Sequence, residues 1–125
     1  NIAAPDGATT ADLLTEGVAG TARVVQVITG TADSNYTISR FVKRGNTDWL
    51  MLQVFNGANV AIAWFNLNTG VKGTTVVGGT ALAVSSSMVA YPNGWYRCIF
   101  TASVGSAATA ITFHSANATA DGNQA

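Results

Sequence analysis

The sequence predicts an all-β fold, a sandwich or barrel built from short strands. Two observations predict it. Runs of β-branched and aromatic residues recur along the chain, each bounded by Gly, Asn, Asp or Thr. The only segment with helical character, "TADLLTEG" (10–17), has room for a single turn and stops at Gly17. Repeated short strands with turn signals between them are the signature of sandwiches and barrels.

The elements follow in order. "RVVQVIT" (23–29) is the first strand, and the turn "TADSN" (31–35) leads into "YTISRFVK" (36–43). "RGNTD" (44–48) precedes the Trp-led strand "WLMLQVF" (49–55), and "NGAN" (56–59) joins it to "VAIAWFNL" (60–67). "NTG" (68–70) opens toward two short strands, "TTVV" (74–77) and "ALAV" (81–84). "PNG" (92–94) runs straight into "WYRCIFTASV" (95–104), and "TAITFHS" (109–115) closes the set. Asn and Gly recur in these connections because they accept the positive φ of tight hairpin turns. The tail "ANATADGNQA" (116–125), small and polar, reads as a loop.

Strand side chains alternate between faces, so the pattern also assigns a core. Tyr96, Cys98, Phe100, Ala102 and Val104 share the buried face of their strand. Leu50, Leu52 and Val54 do the same, as do Ala61, Ala63, Phe65 and Leu67. Trp49, Met51, Gln53 and Phe55 then point outward together with Ile62, Trp64 and Asn66. Trp95 is expected to pack over the turn and the sheet edge, with Arg97 beside it.

The totals narrow the function. At 125 residues the chain suits one domain, spanning 1–125, with a core large enough to need neither metal nor disulfide. Six Lys and Arg balance six Asp and Glu, and Lys43 and Arg44 are the only adjacent cations, so no basic stripe for nucleic acid is present. Charged residues make up 10% of the chain, below the share usual in cytosolic enzymes. Such a neutral, Thr- and Ala-rich composition is typical of secreted or virion proteins. No apolar run is long enough to span a bilayer. The single cysteine, Cys98, excludes an internal disulfide and should be buried and inert.

Four segments taken in order carry a resemblance. They are "APDGATTADLL" (4–14), "YTISRFVKRG" (36–45), "AWFNLNTGVKG" (63–73) and "NGWYRC" (93–98). In that order they resemble the jelly-roll, carbohydrate-binding-module-like domains of phage tail fibres, tail spikes and related virion proteins. The resemblance covers roughly residues 3 to 105. It implies a jelly-roll β-sandwich of two antiparallel sheets, galactose-binding-like, on an extracellular or virion-borne protein. Arg40 departs from the pattern, standing where the family has an apolar residue, and Ala8 replaces a Thr. The strand the family has before "APDG" and its closing "GAQLE" strand are missing. That implies a fragment trimmed at both ends, or a sheet completed by partners.

The chemistry-bearing residues favour binding over catalysis. One histidine, His114, and six acids in or near turns (Asp6, Asp12, Glu16, Asp33, Asp48, Asp121) make neither a nucleophile–base pair nor two carboxylates flanking a glycosidic bond. The chain is therefore expected not to be an enzyme. Asp6, Asp12 and Asp121 supply the hard oxygens calcium prefers, and the resemblance implies a structural calcium near the chain ends. Sugars need an aromatic face for their C–H surface and planar polar groups for their hydroxyls. Trp49, Trp64, Gln53 and Asn66 meet that need on the outer face. Arg40 joins them because an Arg is costly on an apolar core face, and Tyr91 adds a rim contact at a turn mouth. Charge neutrality fits a neutral glycan. The expectation is a carbohydrate-binding module for a poly- or oligosaccharide. The alternatives are a ligand-free structural or oligomerisation module of a tail fibre, and an accessory domain of a polysaccharide-degrading enzyme.

Overall fold

A computed structural model describes residues 23–30, 34–104 and 110–123. They hold eight strands: β1 (Arg23–Ile28), β2 (Asn35–Lys43), β3 (Trp49–Phe55), β4 (Val60–Asn66), β5 (Val71–Gly78), β6 (Leu82–Ala90), β7 (Trp95–Ser103) and β8 (Ile111–Ala118). Every pairing is antiparallel. One sheet has the order β1-β8-β3-β4-β5 and the other β2-β7-β6. The chain is an all-β sandwich, as the strand pattern predicts. It changes sheet between β1 and β2, β2 and β3, β5 and β6, and β7 and β8. Between those crossings, β3, β4 and β5 follow one another as hairpins in a single sheet.

The core lies between the sheets, where the predicted faces meet. Leu50, Leu52 and Val54 of β3 and Ala61, Ala63 and Phe65 of β4 pack against Cys98, Phe100 and Ala102 of β7. Leu52 stands between Ala63 and Ser115 in register, so a large side chain alternates with small ones and the facing layer can interdigitate. Phe65 and Phe100 are fully enclosed, and burying each such ring contributes about 1.5–3 kcal/mol. Tyr36 of β2 meets Phe113 of β8 edge to face at 6.3 Å, which sets β2 over β8. On the inner side of β1, Ile28 packs against this core while Val24 and Gln26 stay exposed.

Three strands exceed their sequence-based bounds. β5 begins at Val71 rather than at 74, β6 runs to Ala90 rather than to 84, and β8 continues to Ala118. Gly73, the triplet Ser85–Ser87 and the run Ala116–Ala118 have little intrinsic strand preference, but pairing with β4, β7 and β3 overrides it. The turns behave as their chemistry dictates. Asn56 Oδ1 accepts from Ala58 N (3.0 Å) and Asn59 N (2.7 Å) to close the β3–β4 hairpin. In the β6–β7 turn, Asn93 and Gly94 both take positive φ, 65° and 81°. The helical turn expected at 10–17, and Asp6 and Asp12, lie outside the described residues.

Candidate ligand platform on the three-stranded sheet

The residues expected to gather into one site are distributed over three places. Trp49, Gln53, Trp64 and Asn66 do share the outer face of the five-stranded sheet, but much of that face is closed. Trp64 is 4% exposed. It packs with Met51, Ala116 and Ala118 in a second small core, flanked by Trp49 and Ile62. Its indole Nε1 donates to Asn123 O at 2.7 Å. The chain after β8 returns over the sheet here, and Asp121 Oδ1 accepts from Thr74 N (2.8 Å) and Thr74 Oγ1 (3.0 Å). The register slips between Ala63 and Phe65, leaving Gly73 and Thr74 opposite Trp64. A side chain at Gly73 would collide with the Asp121 carboxylate and the Trp49 ring. The expectation of an open stacking face at Trp64 is thereby corrected: Ala116 and Ala118 are small enough for the returning chain to settle over the indole.

Asn66 is engaged in holding the β4–β5 turn, its Oδ1 accepting from Asn68 N (2.9 Å) and Thr69 N (3.1 Å). Gln53 is half-buried between Ile62 and His114 in register. Arg40 is on the inner face after all and does not join the outer group. Its Nε donates to Ser115 Oγ of the opposite sheet at 3.1 Å and its Nη1 to Ser39 O at 3.1 Å. These bonds resolve the cost of a guanidinium on an apolar face. Tyr91 stands apart from all of these, on the other sheet.

Around Tyr91 the structure assembles a different group. β2 and β7 pair so that Phe41 faces Arg97 and Lys43 faces Trp95. β6 brings Val89 to the other side of Arg97. The tight turn closes with Tyr91 N donating to Trp95 O at 2.8 Å, and this swings the Tyr91 ring back over the sheet. Phe41 and Tyr91 meet edge to face, with centroids 5.1 Å apart and planes at 82°. The Arg97 guanidinium lies over the Phe41 ring at 5.8 Å, and Arg97 Nε donates to Ser39 Oγ at 2.9 Å. Phe41 remains 47% exposed and Tyr91 38%. Trp95 at the end of the row is buried, so it anchors the strand and presents no ring.

Phe41 and Val89 were not among the residues expected to bind, yet Phe41 left a signal. Thr37, Ser39 and Lys43 are its same-face neighbours on β2, and an aromatic among polar positions marks a used surface. Its pairing with Arg97, by contrast, joins residues more than fifty positions apart and no local pattern announces it.

The remaining titratable groups are quiet. His114 on the outer face of β8 accepts at Nδ1 from Arg23 Nη1 (3.3 Å), which puts the proton of the neutral ring on Nε2. Burial, and then the Arg23 charge, lower its pKa below 6.5. Burial pushes the Cys98 thiol up to about 12, so it carries no thiolate at neutral pH. Among the described residues no group of three His, Cys, Asp or Glu is placed to hold a metal. None of their helices is long and apolar enough to cross a membrane. No protein-family model matches the chain, and no curated protein matches it in sequence.

Proposed function

We propose that the chain is a non-catalytic carbohydrate-binding module of virion or tail-fibre type, binding a poly- or oligosaccharide on the outer face of its three-stranded sheet. The observation that carries this reading is the exposed Phe41–Tyr91 pair with Arg97 and Ser39 beside it. The rings offer apolar surface to the C–H face of a pyranose, and the guanidinium and hydroxyl offer hydrogen bonds to its oxygens. The sandwich holds Ser39, Phe41 and Arg97 on paired strands and Tyr91 in a tight turn, so little ordering accompanies binding. The four-segment sequence resemblance supplies the virion setting. Individual contacts of this kind are weak, and repeated copies on a fibre raise the effective concentration.

A glycan array identifies the ligand, and calorimetric titration then tests the platform. Tyr91→Ala and Phe41→Ala should each weaken binding by about tenfold or more. Both side chains are partly covered and meet edge to face, so each substitution should also cost about 0.5–1.5 kcal/mol of stability while the sample stays folded. Trp64→Phe should leave affinity unchanged. Binding that survives both platform substitutions, or no binding by a folded sample to any neutral or acidic glycan, overturns the reading.

A second reading has its own observation. Val24, Val25 and Val27 of the edge strand β1 are 49%, 48% and 61% exposed, and such an edge suits a structural module that buries it against another copy. Light scattering separates the two: an obligate oligomer without glycan affinity favours the structural module.

A further inference from the structure

We infer that the ligand of the Phe41–Tyr91 platform is an acidic sugar whose carboxylate is held by Arg97 and Lys43. This rests on the platform being a sugar site and names the class of sugar it takes. Arg97 and Lys43 share the outer face of the three-stranded sheet, Arg97 opposite Phe41 and Lys43 two residues further along β2. The Arg97 guanidinium uses its Nε toward Ser39 Oγ and its face toward Phe41. That leaves the edge formed by its two terminal nitrogens, and this edge matches a carboxylate with two parallel hydrogen bonds. Lys43 lies across the turn, its Cε 3.6 Å from where a side chain on Gly94 would begin. The Lys43 stem thus runs along the β6–β7 turn that carries Tyr91.

Among the described residues no acid answers these cations. β2, β6 and β7 contain no Asp or Glu at any position. The described residues hold two acids, and both are engaged elsewhere: Asp48 pairs with Arg44, and Asp121 caps Thr74. Among the described residues, the strands of this sheet therefore carry cations and no acid, whatever the total charge of the chain. A charge with no acid partner among the described residues, fixed beside a stacking surface, is suited to a counter-charge that arrives with the ligand.

The test uses three probes on the full chain: an oligogalacturonate, its carboxyl-reduced neutral counterpart and a sulfated oligosaccharide. The oligogalacturonate should bind about tenfold or more tightly than the neutral form. The preference should shrink between about 50 mM and about 500 mM salt, as exposed charges are screened. Arg97→Gln should abolish the preference, and Arg97→Lys should restore part of it by keeping the charge without the fork. Lys43→Gln is the second variant and should halve the preference or more while the melting temperature stays put. Equal binding of the acidic and neutral forms, still sensitive to Tyr91→Ala, overturns the acidic assignment and leaves the sugar site standing. Tighter binding of the sulfated probe overturns the carboxylate fork in favour of simple charge attraction. Failure of all three probes to respond to Phe41→Ala and Tyr91→Ala overturns the site together with its ligand.

Discussion

Single side chains in this molecule are best understood by where their polar atoms go. Arg40 is the clearest case, because it stands on the core face and survives there by reaching Ser115 across the sandwich. Removing one partner leaves the other wanting. Ser115→Val should therefore destabilise by about 1–3 kcal/mol in urea unfolding, through the orphaned guanidinium. The double variant Arg40→Met, Ser115→Val should recover most of that loss, because a buried polar pair replaced by apolar groups of similar size is often close to neutral. If the double variant is as unstable as the sum of its singles, the pair is not coupled as described. Cys98 shows the opposite extreme. It is enclosed in the core, so a thiol reagent at pH 8 should modify it only as fast as the protein opens, and immediately in denaturant. Prompt modification of the native protein would contradict its burial.

Elements are decided by pairing more than by composition. β6 contains three consecutive serines and still pairs along β7 to Ala90, and β8 continues through "ANA" because β3 lies open beside it. The returning chain after β8 has a measurable role. It supplies the acceptor for the Trp64 indole and the Asp121 cap for Thr74. Deleting residues 119–125 should expose Trp64 and shift the tryptophan emission to the red. It should also cost about 1–3 kcal/mol, as two hydrogen-bonded contacts and part of a small core are lost. Trp64→Ala should cost more, about 3–5 kcal/mol, because it empties the cluster. Unchanged emission after the deletion would mean that the indole is covered by something else. The β6–β7 turn matters to the platform in the same way: positive φ at Asn93 and Gly94 directs Tyr91 back toward Phe41.

For the molecule as a whole, two perturbed groups among the described residues make stability depend on pH. His114 is lowered below 6.5 by burial and by Arg23. The unfolded chain therefore takes up the proton first, and this contribution is full above 6.5 and is lost as pH falls through the lowered value. Cys98 is raised from 9.0 to about 12. The unfolded thiol ionises first, and stability is lost as pH rises from about 9 to about 12. Thermal melts across pH should show both flanks, His114→Gln removing its share of the acid loss and Cys98→Ala its share of the alkaline loss. Flanks unmoved by these substitutions would assign the losses to other groups.

The sequence by itself determined the all-β class, the order of eight strands and the composition of the main core. Those follow from alternation and turn chemistry, which are written in neighbouring residues. Leu52, Phe65 and Phe100 were legible as core for that reason, and Tyr91 was legible as exposed because of its turn. The tertiary structure alone decided that Trp64 lies under the returning chain and that Arg40 bridges the sheets. It alone decided that Phe41 and Arg97 face each other. Each of these depends on the register between strands far apart in the chain. Register is set by the packing of whole sheets, which alternation within one strand does not encode.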